Sequence, residues 1–218
     1  MRMLLMLIIT FASTGCFLGL AVLGWGGFGP FFSHPAFVAV VVITFAMVAA
    51  AMFTQGNLSS GAREDRSNRW VFWVFGLFGV LGAWAPAYTD RIGFWTLDGD
   101  TLRWVGLAVY AVGGALRIWP VFVLGRRFSG LVAIQPGHEL VTTGIYRVVR
   151  NPSYLGMMVT ALGWALVFRS SVGLVLAALT LIPVIGRIRA EEKLLASEFG
   201  PAWDAYKART WRLVPFVY

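Results

Sequence analysis

The feature that most constrains this chain is a succession of apolar runs, each near the roughly 20 residues a helix needs to cross a bilayer. They occupy residues 3–24, 36–54, 70–88 and 104–124, the last interrupted by Arg117 alone. A further stretch, 153–186, is broken only around Arg169, Ser170 and Ser171 and reads as two tightly connected helices. Hydrocarbon offers backbone N–H and C=O groups no water, so each run must satisfy its own hydrogen bonds as a helix. A barrel would instead show short alternating segments, and none is present. The expected fold is therefore all-α: a polytopic membrane protein with about six transmembrane helices and a polar, amphipathic helix near the C-terminus.

Charge placement orients the helices. Only 13% of the residues are charged, about half the share of an ordinary soluble domain, so the net +8 speaks of membrane orientation and no nucleic-acid partner is expected. Counting six helices puts Arg2, Arg63, Arg66, Arg69, Arg126, Arg127, Arg147, Arg150 and the tail from Arg187 on one side. The opposite loops carry Arg91, Arg103 and Arg169 against Asp90, Asp98 and Asp100. By the positive-inside rule both termini are expected in the cytoplasm. The single cysteine, Cys16, excludes an intramolecular disulfide framework and a multi-cysteine metal site, and no metal is expected. The first apolar run continues past the core length of a signal peptide, so it is expected to remain as a helix. "GWGGFG" at 24–29 fits a dinucleotide pattern in letters only, because it follows no strand and opens no βαβ unit.

Two regions differ in character. Residues 1–102 read as a scaffold of three plain membrane helices, and residues 103–218 hold the concentrated polar residues. The connection 125–152, "GRRFSGLVAIQPGHELVTTGIYRVVRNP", is longer and more polar than a link between helices requires. Pro152 suits the first position of a helix and Asn151 suits its cap, but a helix start alone does not require Tyr146, Arg150 or Tyr154. Beyond the hairpin, "GRIRAEEKLLASEFGPAWDAYKARTWRLVPF" takes amphipathic spacing, and Arg187 and Glu191, four apart, share one helix face.

In this order and at this distance, "GHELVTTGIYRVVRNPSYLG" and "RIRAEEKLLASEFGPAWDAYKARTWRLVPF" resemble the isoprenylcysteine carboxyl methyltransferase family and, more distantly, phospholipid N-methyltransferases. The resemblance covers about residues 103–216. It implies an integral membrane methyltransferase in which S-adenosylmethionine sits at the cytoplasmic face, closed in by the C-terminal helix. A lipophilic or lipid-linked acceptor would enter between membrane helices. By resemblance the cofactor-contacting residues are Gln135, His138, Glu139, Leu140, Val141, Tyr146, Asn151, Pro152, Ser153, Tyr154 and Glu191, and Arg187 stands at the substrate end as the catalytic residue. A prokaryotic plasma membrane is the location the short loops suggest. The sequence departs at one place: the family pattern is Arg-His-Pro, and here Arg150-Asn151-Pro152 stands. Asparagine keeps a hydrogen bond but carries no positive charge and shuttles no proton.

The residue types suit that chemistry. Methyl transfer from a sulfonium is an in-line displacement needing chiefly alignment, which supplies on the order of 7 to 11 kcal/mol in well-oriented systems. A carboxylate acceptor is ionised at neutral pH and needs no base, and Arg187 is suited to hold it through a planar fork. Three other readings remain open on the sequence: a phospholipid or small-amine or thiol acceptor, a sterol-reductase-like enzyme whose NADPH phosphate meets Arg126 and Arg127, and a non-catalytic membrane scaffold.

Overall fold

The computed structural model describes residues 2–57, 59–137 and 139–218, with side chains from residue 8 onward. Five stretches are long and apolar enough to cross a membrane: Ile8–Trp25, Pro35–Met52, Arg66–Arg91, Thr101–Arg127 and Ser171–Phe199. They lie on α1 (Arg2–Trp25), α3 (Pro35–Met52), α4 (Trp70–Arg91), α5 (Thr101–Leu124) and the joined pair α7 (Ser171–Leu179) and α8 (Leu181–Phe199). Between α1 and α3 sits the short α2 (Phe28–Phe32), and α9 (Pro201–Ala208) follows α8. The remaining helix, α6 (Pro152–Val167), is apolar but has 16 residues, roughly 24 Å at 1.5 Å per residue. The chain is an integral membrane protein.

The hairpin expected over 153–186 has a different second arm. Helical backbone continues through Thr180, where φ is −64° and ψ is −18°, so α7 and α8 form one long span. Pro183 brings no N–H to the helical ladder, so one bond of the series is missing there. Arg187 and Glu191 therefore ride on the extension of a membrane helix.

Glycine sets the closest packing. α5 and α6 run antiparallel, and a Cβ added at Gly113 would collide with the Thr160 backbone, one at Gly156 with the Leu116 and Arg117 backbones, and one at Gly163 with Tyr110. Small residues at such spacing let membrane helices approach to backbone contact, where dispersion and short polar contacts replace the hydrophobic drive. α1 and α4 run parallel, with Gly24 against Trp84 and Ala87. α3 lies along α5, where Thr44 and Tyr110 share a hydrogen bond of 2.9 Å.

The two ends of the bundle differ. At one end an aromatic core of Phe31, Phe37, Trp164 and Phe168 adjoins a buried ion cluster. Arg103, 2% exposed, donates to both Asp90 oxygens, to Asp100 at 2.9 Å and to the Val167 carbonyl at 2.9 Å. Its guanidinium lies over Trp25 and Phe37, and Arg169 adds a second cation to Asp90 at 3.0 Å. At the other end, β1 (Arg63–Glu64) pairs antiparallel with β2 (Ala133–Ile134), Arg63 opposite Ile134. That pairing joins the loop after α3 to the long 125–151 connection, and Arg63 reaches Ser197 on α8.

Candidate active site

A cavity of about 590 Å³ opens among the loops of this second end and extends between α4, α6 and α7. Its polar mouth is built on one turn of α8. Arg187 and Glu191, one turn apart, are joined by an Nε to Oε1 bond of 3.1 Å. Tyr154, in the first turn of α6, donates its hydroxyl to Glu191 Oε1 at 2.6 Å and accepts from Arg187 Nε at 2.5 Å. Arg187 also donates to the Gly130 carbonyl and lies over the Phe72 ring. Planar guanidinium held from several sides in this way loses little freedom on binding an anion. Among the described residues both bonds to Glu191 fall on Oε1, leaving the other carboxylate oxygen with lone pairs for a ligand.

A second cation faces the same space. Arg117, within α5, donates to the Ser153 hydroxyl at 3.1 Å and carbonyl at 3.3 Å, and Ser153 Oγ donates back to the Arg117 carbonyl at 3.1 Å. An ionisable residue inside a membrane helix is costly unless it lines a cavity or finds partners, and Arg117 does both.

Aromatic residues close the mouth from the loop side. Trp203 and Tyr206 of α9 are buried and stand edge-to-face with ring centroids 5.6 Å apart. Tyr206 donates to the Tyr146 carbonyl at 2.8 Å, and Tyr146 reaches the Pro120 carbonyl of α5 at 3.4 Å. Burial favours the neutral phenol at both positions: it raises the Tyr146 pKa and pushes that of Tyr206 up to about 12.

Of the residues singled out in the sequence, Leu140, Val141, Tyr146, Asn151, Pro152, Ser153, Tyr154, Arg187 and Glu191 line this one cavity. Two stand apart from its wall. Gln135 is buried and donates to the Ser59 carbonyl at 3.1 Å, which ties two loops together. Glu139 is exposed and pairs with Arg127 at 2.5 Å. His138 lies outside the described residues.

Asn151 does not cap α6 through its side chain. Its amide donates to the Arg212 carbonyl at 2.9 Å and toward Glu192 at 3.5 Å, because the C-terminal tail folds back over the start of α6. In the first turn, Pro152 has no N–H, and the Tyr154 and Leu155 amides are taken by the Asn151 carbonyl. The helix start thus offers an anion the Ser153 amide rather than the row of amides expected at a free N-terminus.

Sequence reasoning missed two groups. The first is a buried clamp around Glu192, which accepts from Arg150 at 3.0 Å and from Arg212 at 2.9 Å, while Arg150 also reaches the Thr210 carbonyl. Nothing in the spacing of residues 150, 192 and 212 links them. The second is the α4 stripe Phe72, Phe75, Gly79, Gly82 and Pro86, drawn from the region read as plain scaffold. Its three- and four-residue steps were present in the sequence, but a membrane helix that is apolar on every side hides the face that matters.

These features define a class: a polytopic helical membrane protein with a polar, loop-covered chamber continuous with an apolar channel between its helices. Residues 101–202 match the family model described as phospholipid methyltransferase. The chain is 30% identical over 119 residues, 53% of its length and 62% of the other's, to a "Probable protein-S-isoprenylcysteine O-methyltransferase" of Oryza sativa subsp. indica. It is 34% identical over 114 residues, 51% of its length and 48% of the other's, to the protein-S-isoprenylcysteine O-methyltransferase of Schizosaccharomyces pombe. A solved structure of a eukaryotic intramembrane Ras methyltransferase, isoprenylcysteine carboxyl methyltransferase, covers 98% of this chain and 86% of its own with a TM-score of 0.51. At 17% identity that likeness shows the fold alone. The matched segment spans roughly half the length of the curated relatives. Residues 101–202 are thus similar to the phospholipid methyltransferase and isoprenylcysteine carboxyl methyltransferase proteins.

Proposed function

We propose that this protein is an S-adenosylmethionine-dependent carboxyl O-methyltransferase acting on a lipophilic, isoprenoid-linked acceptor, with its active site at the cytoplasmic face. The observation that carries the reading is the continuity of one cavity, with the Arg187, Glu191 and Tyr154 cluster at its polar mouth and an apolar channel behind it.

The residues present fit the cofactor. Glu191 supplies a carboxylate for an ammonium group, the Ser153 amide offers a donor to a carboxylate, and Tyr146, Trp203 and Tyr206 provide aromatic surface for an adenine and a cation. When bound, the sulfonium supplies an activated methyl group. Arg187 and Arg117 hold the acceptor carboxylate in its ionised form, so no residue needs to remove a proton. Tyr154 fixes the angle between Arg187 and Glu191, and therefore the line between the two bound molecules. α9 and the loop around Tyr146 exclude water from that line. In this reading residues 103–218 carry the transfer, and the first 102 residues contribute the α4 wall.

Calorimetry on the purified protein in nanodiscs tests this directly. S-adenosylmethionine or S-adenosylhomocysteine should bind saturably, and Glu191→Gln should weaken binding about tenfold or more, the scale of a lost hydrogen bond to a charged group. Absence of binding at high micromolar cofactor overturns the proposal. Arg187→Lys keeps the charge but loses the fork, and should lower turnover much more than cofactor affinity.

The family match described as phospholipid methyltransferase favours a second acceptor class, a lipid amine, which would need a base. Mass spectrometry of a lipid extract incubated with the enzyme and an isotopically labelled methyl donor separates the two by which product gains the label.

A further inference from the structure

We propose that the segment after α9, residues 209–218, is an interfacial foot whose apolar tip inserts among lipids with anionic headgroups, and that this docking holds the polar mouth of the cavity closed. Its effect on cofactor binding rests on the methyltransferase reading, whereas the docking does not.

The segment folds into a closed loop. The Leu213 and Val214 amides both donate to the Tyr218 carbonyl, at 2.8 and 3.0 Å, and the Tyr218 amide donates to the Val214 carbonyl at 3.0 Å. Inside that loop Phe216 takes a φ of 66°, a left-handed conformation that a bulky side chain adopts only where its surroundings impose it. The tip is apolar and open: Phe216 is 86% exposed and Val217 77%. The Trp211 ring lies beside Phe216, with centroids 5.5 Å apart.

Its depth follows from what its base touches. Leu213 is buried in one cluster with Val184 and Ile188 of α8 and with Leu155 and Met158 of α6. Along α8 the exposed side chains change across that level from Leu181 and Ile182 to Arg189 and Lys193, the change a helix shows where it leaves hydrocarbon. Trp70 marks the same level independently. It is half exposed at the start of α4, an amphipathic ring of the kind that gathers at headgroups, and a Cβ added at Gly186 would lie 3.6 Å from it. An exposed apolar tip at this level meets the boundary of headgroups and acyl chains.

Charge selects the kind of lipid. No acidic side chain occurs from Ala205 to Tyr218, against Lys207, Arg209 and Arg212. Arg212 is engaged inward on Glu192, whereas Lys207 and Arg209 are exposed and form no ion pair among the described residues. Each such cation gains about fivefold in attraction beside an anionic leaflet. The same segment also reaches the site. The Trp211 carbonyl accepts from the Arg150 amide at 2.8 Å, and the Trp211 amide donates to the Val148 carbonyl at 2.9 Å. The Arg212 carbonyl accepts from Asn151, and both Arg150 and Asn151 line the cavity. A foot anchored in the bilayer therefore keeps these bonds made, and a foot released from it lets the start of α6 loosen.

The experiment uses the full chain in nanodiscs of phosphatidylcholine alone and of phosphatidylcholine with about a third of phosphatidylglycerol, which carries the negative charge. Val217→Cys in a Cys16→Ser background carries a bimane label. Lipids with a nitroxide near the top of the acyl chain should quench it, more strongly in the anionic discs. Phe216→Asn, a residue type that tolerates a left-handed φ, should reduce the quenching. Amide exchange over residues 148–151 and 211–214 should slow about fivefold in the anionic discs, and S-adenosylhomocysteine should bind about fivefold more tightly there. Lys207→Gln combined with Arg209→Gln should erase the anionic increment in every readout and leave the values in phosphatidylcholine unchanged. Absence of quenching overturns the foot, because the tip then faces water or another protein. An anionic increment that survives the double substitution also overturns it, because the lipid then acts elsewhere. Quenching and exchange that respond to lipid without any cofactor binding sustain the foot and sink the methyltransferase reading, whereas cofactor binding indifferent to lipid, with no exchange response, does the reverse.

Discussion

Tyr154 Oη is the narrowest control point, since it bonds both members of the Arg187 and Glu191 pair. Tyr154→Phe keeps the ring and removes those bonds, while the direct 3.1 Å contact between the pair remains. A displacement of the order of 1 Å costs about a hundredfold in positioned reactions, so kcat is expected to fall by about that factor with cofactor Kd changed by less than about tenfold; steady-state kinetics and calorimetry check it, and unchanged kcat contradicts it. At the opposite end, Asp90 answers both Arg103 and Arg169. Removing one partner of a buried pair strands the other charge, at a cost of about 3 to 5 kcal/mol. Asp90→Ala should therefore lower the Tm in detergent clearly, whereas Asp100→Ala, at a carboxylate 65% exposed, should cost under about 1 kcal/mol. The sequence made Arg187 and Glu191 legible because helical spacing alone puts them on one face. Glu192, one residue further, points to Arg150 and Arg212, 42 and 20 residues away, and no local pattern encodes such a meeting. Asn151 holds the cap position of α6, as its place before Pro152 implies, but its side chain is taken by the Arg212 carbonyl of a tail that is distant in sequence.

Between elements, glycine and tyrosine set the spacing. Gly156→Leu would drive a side chain into the Leu116 and Arg117 backbones, so α5 and α6 must part. The expected loss is about 1 to 3 kcal/mol, as for overpacked cores, with a larger loss of turnover because Arg117 moves with α5. Gly76→Ala, whose Cβ meets nothing within 4 Å, is the control that should leave the Tm unchanged or raised; equal effects of the two substitutions would contradict the packing account. The α9 lid carries a pH signature. Tyr206 titrates at about 12 in the folded protein against an ordinary phenol value near 10, so between those values the folded state holds a proton the unfolded state has lost. Stability is then full below pH 10 and declines as pH rises toward 12. An alkaline thermal melt series should show this decline, and Tyr206→Phe should make it shallower. Element existence was legible from run length and apolarity. Continuity of α7 into α8 was not, because Arg169 and the serines mark a break plainly while Thr180 and Pro183 do not themselves show that the helix runs through them.

Over the whole molecule, charge divides the two ends. Arg91, Arg103 and Arg169 are matched by Asp90, Asp98 and Asp100, so the end holding the ion cluster sums to zero. The net +8 therefore belongs to membrane-embedded Arg117 and to the end where the 53–69 and 125–151 loops meet α8 and α9. Lysine and arginine in short loops beside membrane helices are retained on the cytoplasmic side during insertion, with acidic residues contributing little. Neutralisation at the other end does more than balance a count: it lets two arginines sit there folded into a buried network, with Arg103 2% exposed, instead of competing for retention as solvated loop charges. The expected orientation has residues 53–69 and the C-terminus in the cytoplasm and residues 92–100 outside. In a Cys16→Ser background, single cysteines at Ser59 and Asp98 should then react with a membrane-impermeant maleimide from opposite sides of sealed vesicles, Ser59→Cys from the cytoplasmic face. Labelling of Asp98→Cys from that face would invert the molecule and move the active site outside. It would also separate the site from a cytoplasmic supply of methyl donor, so the orientation experiment bears on the proposed chemistry as directly as it does on the fold.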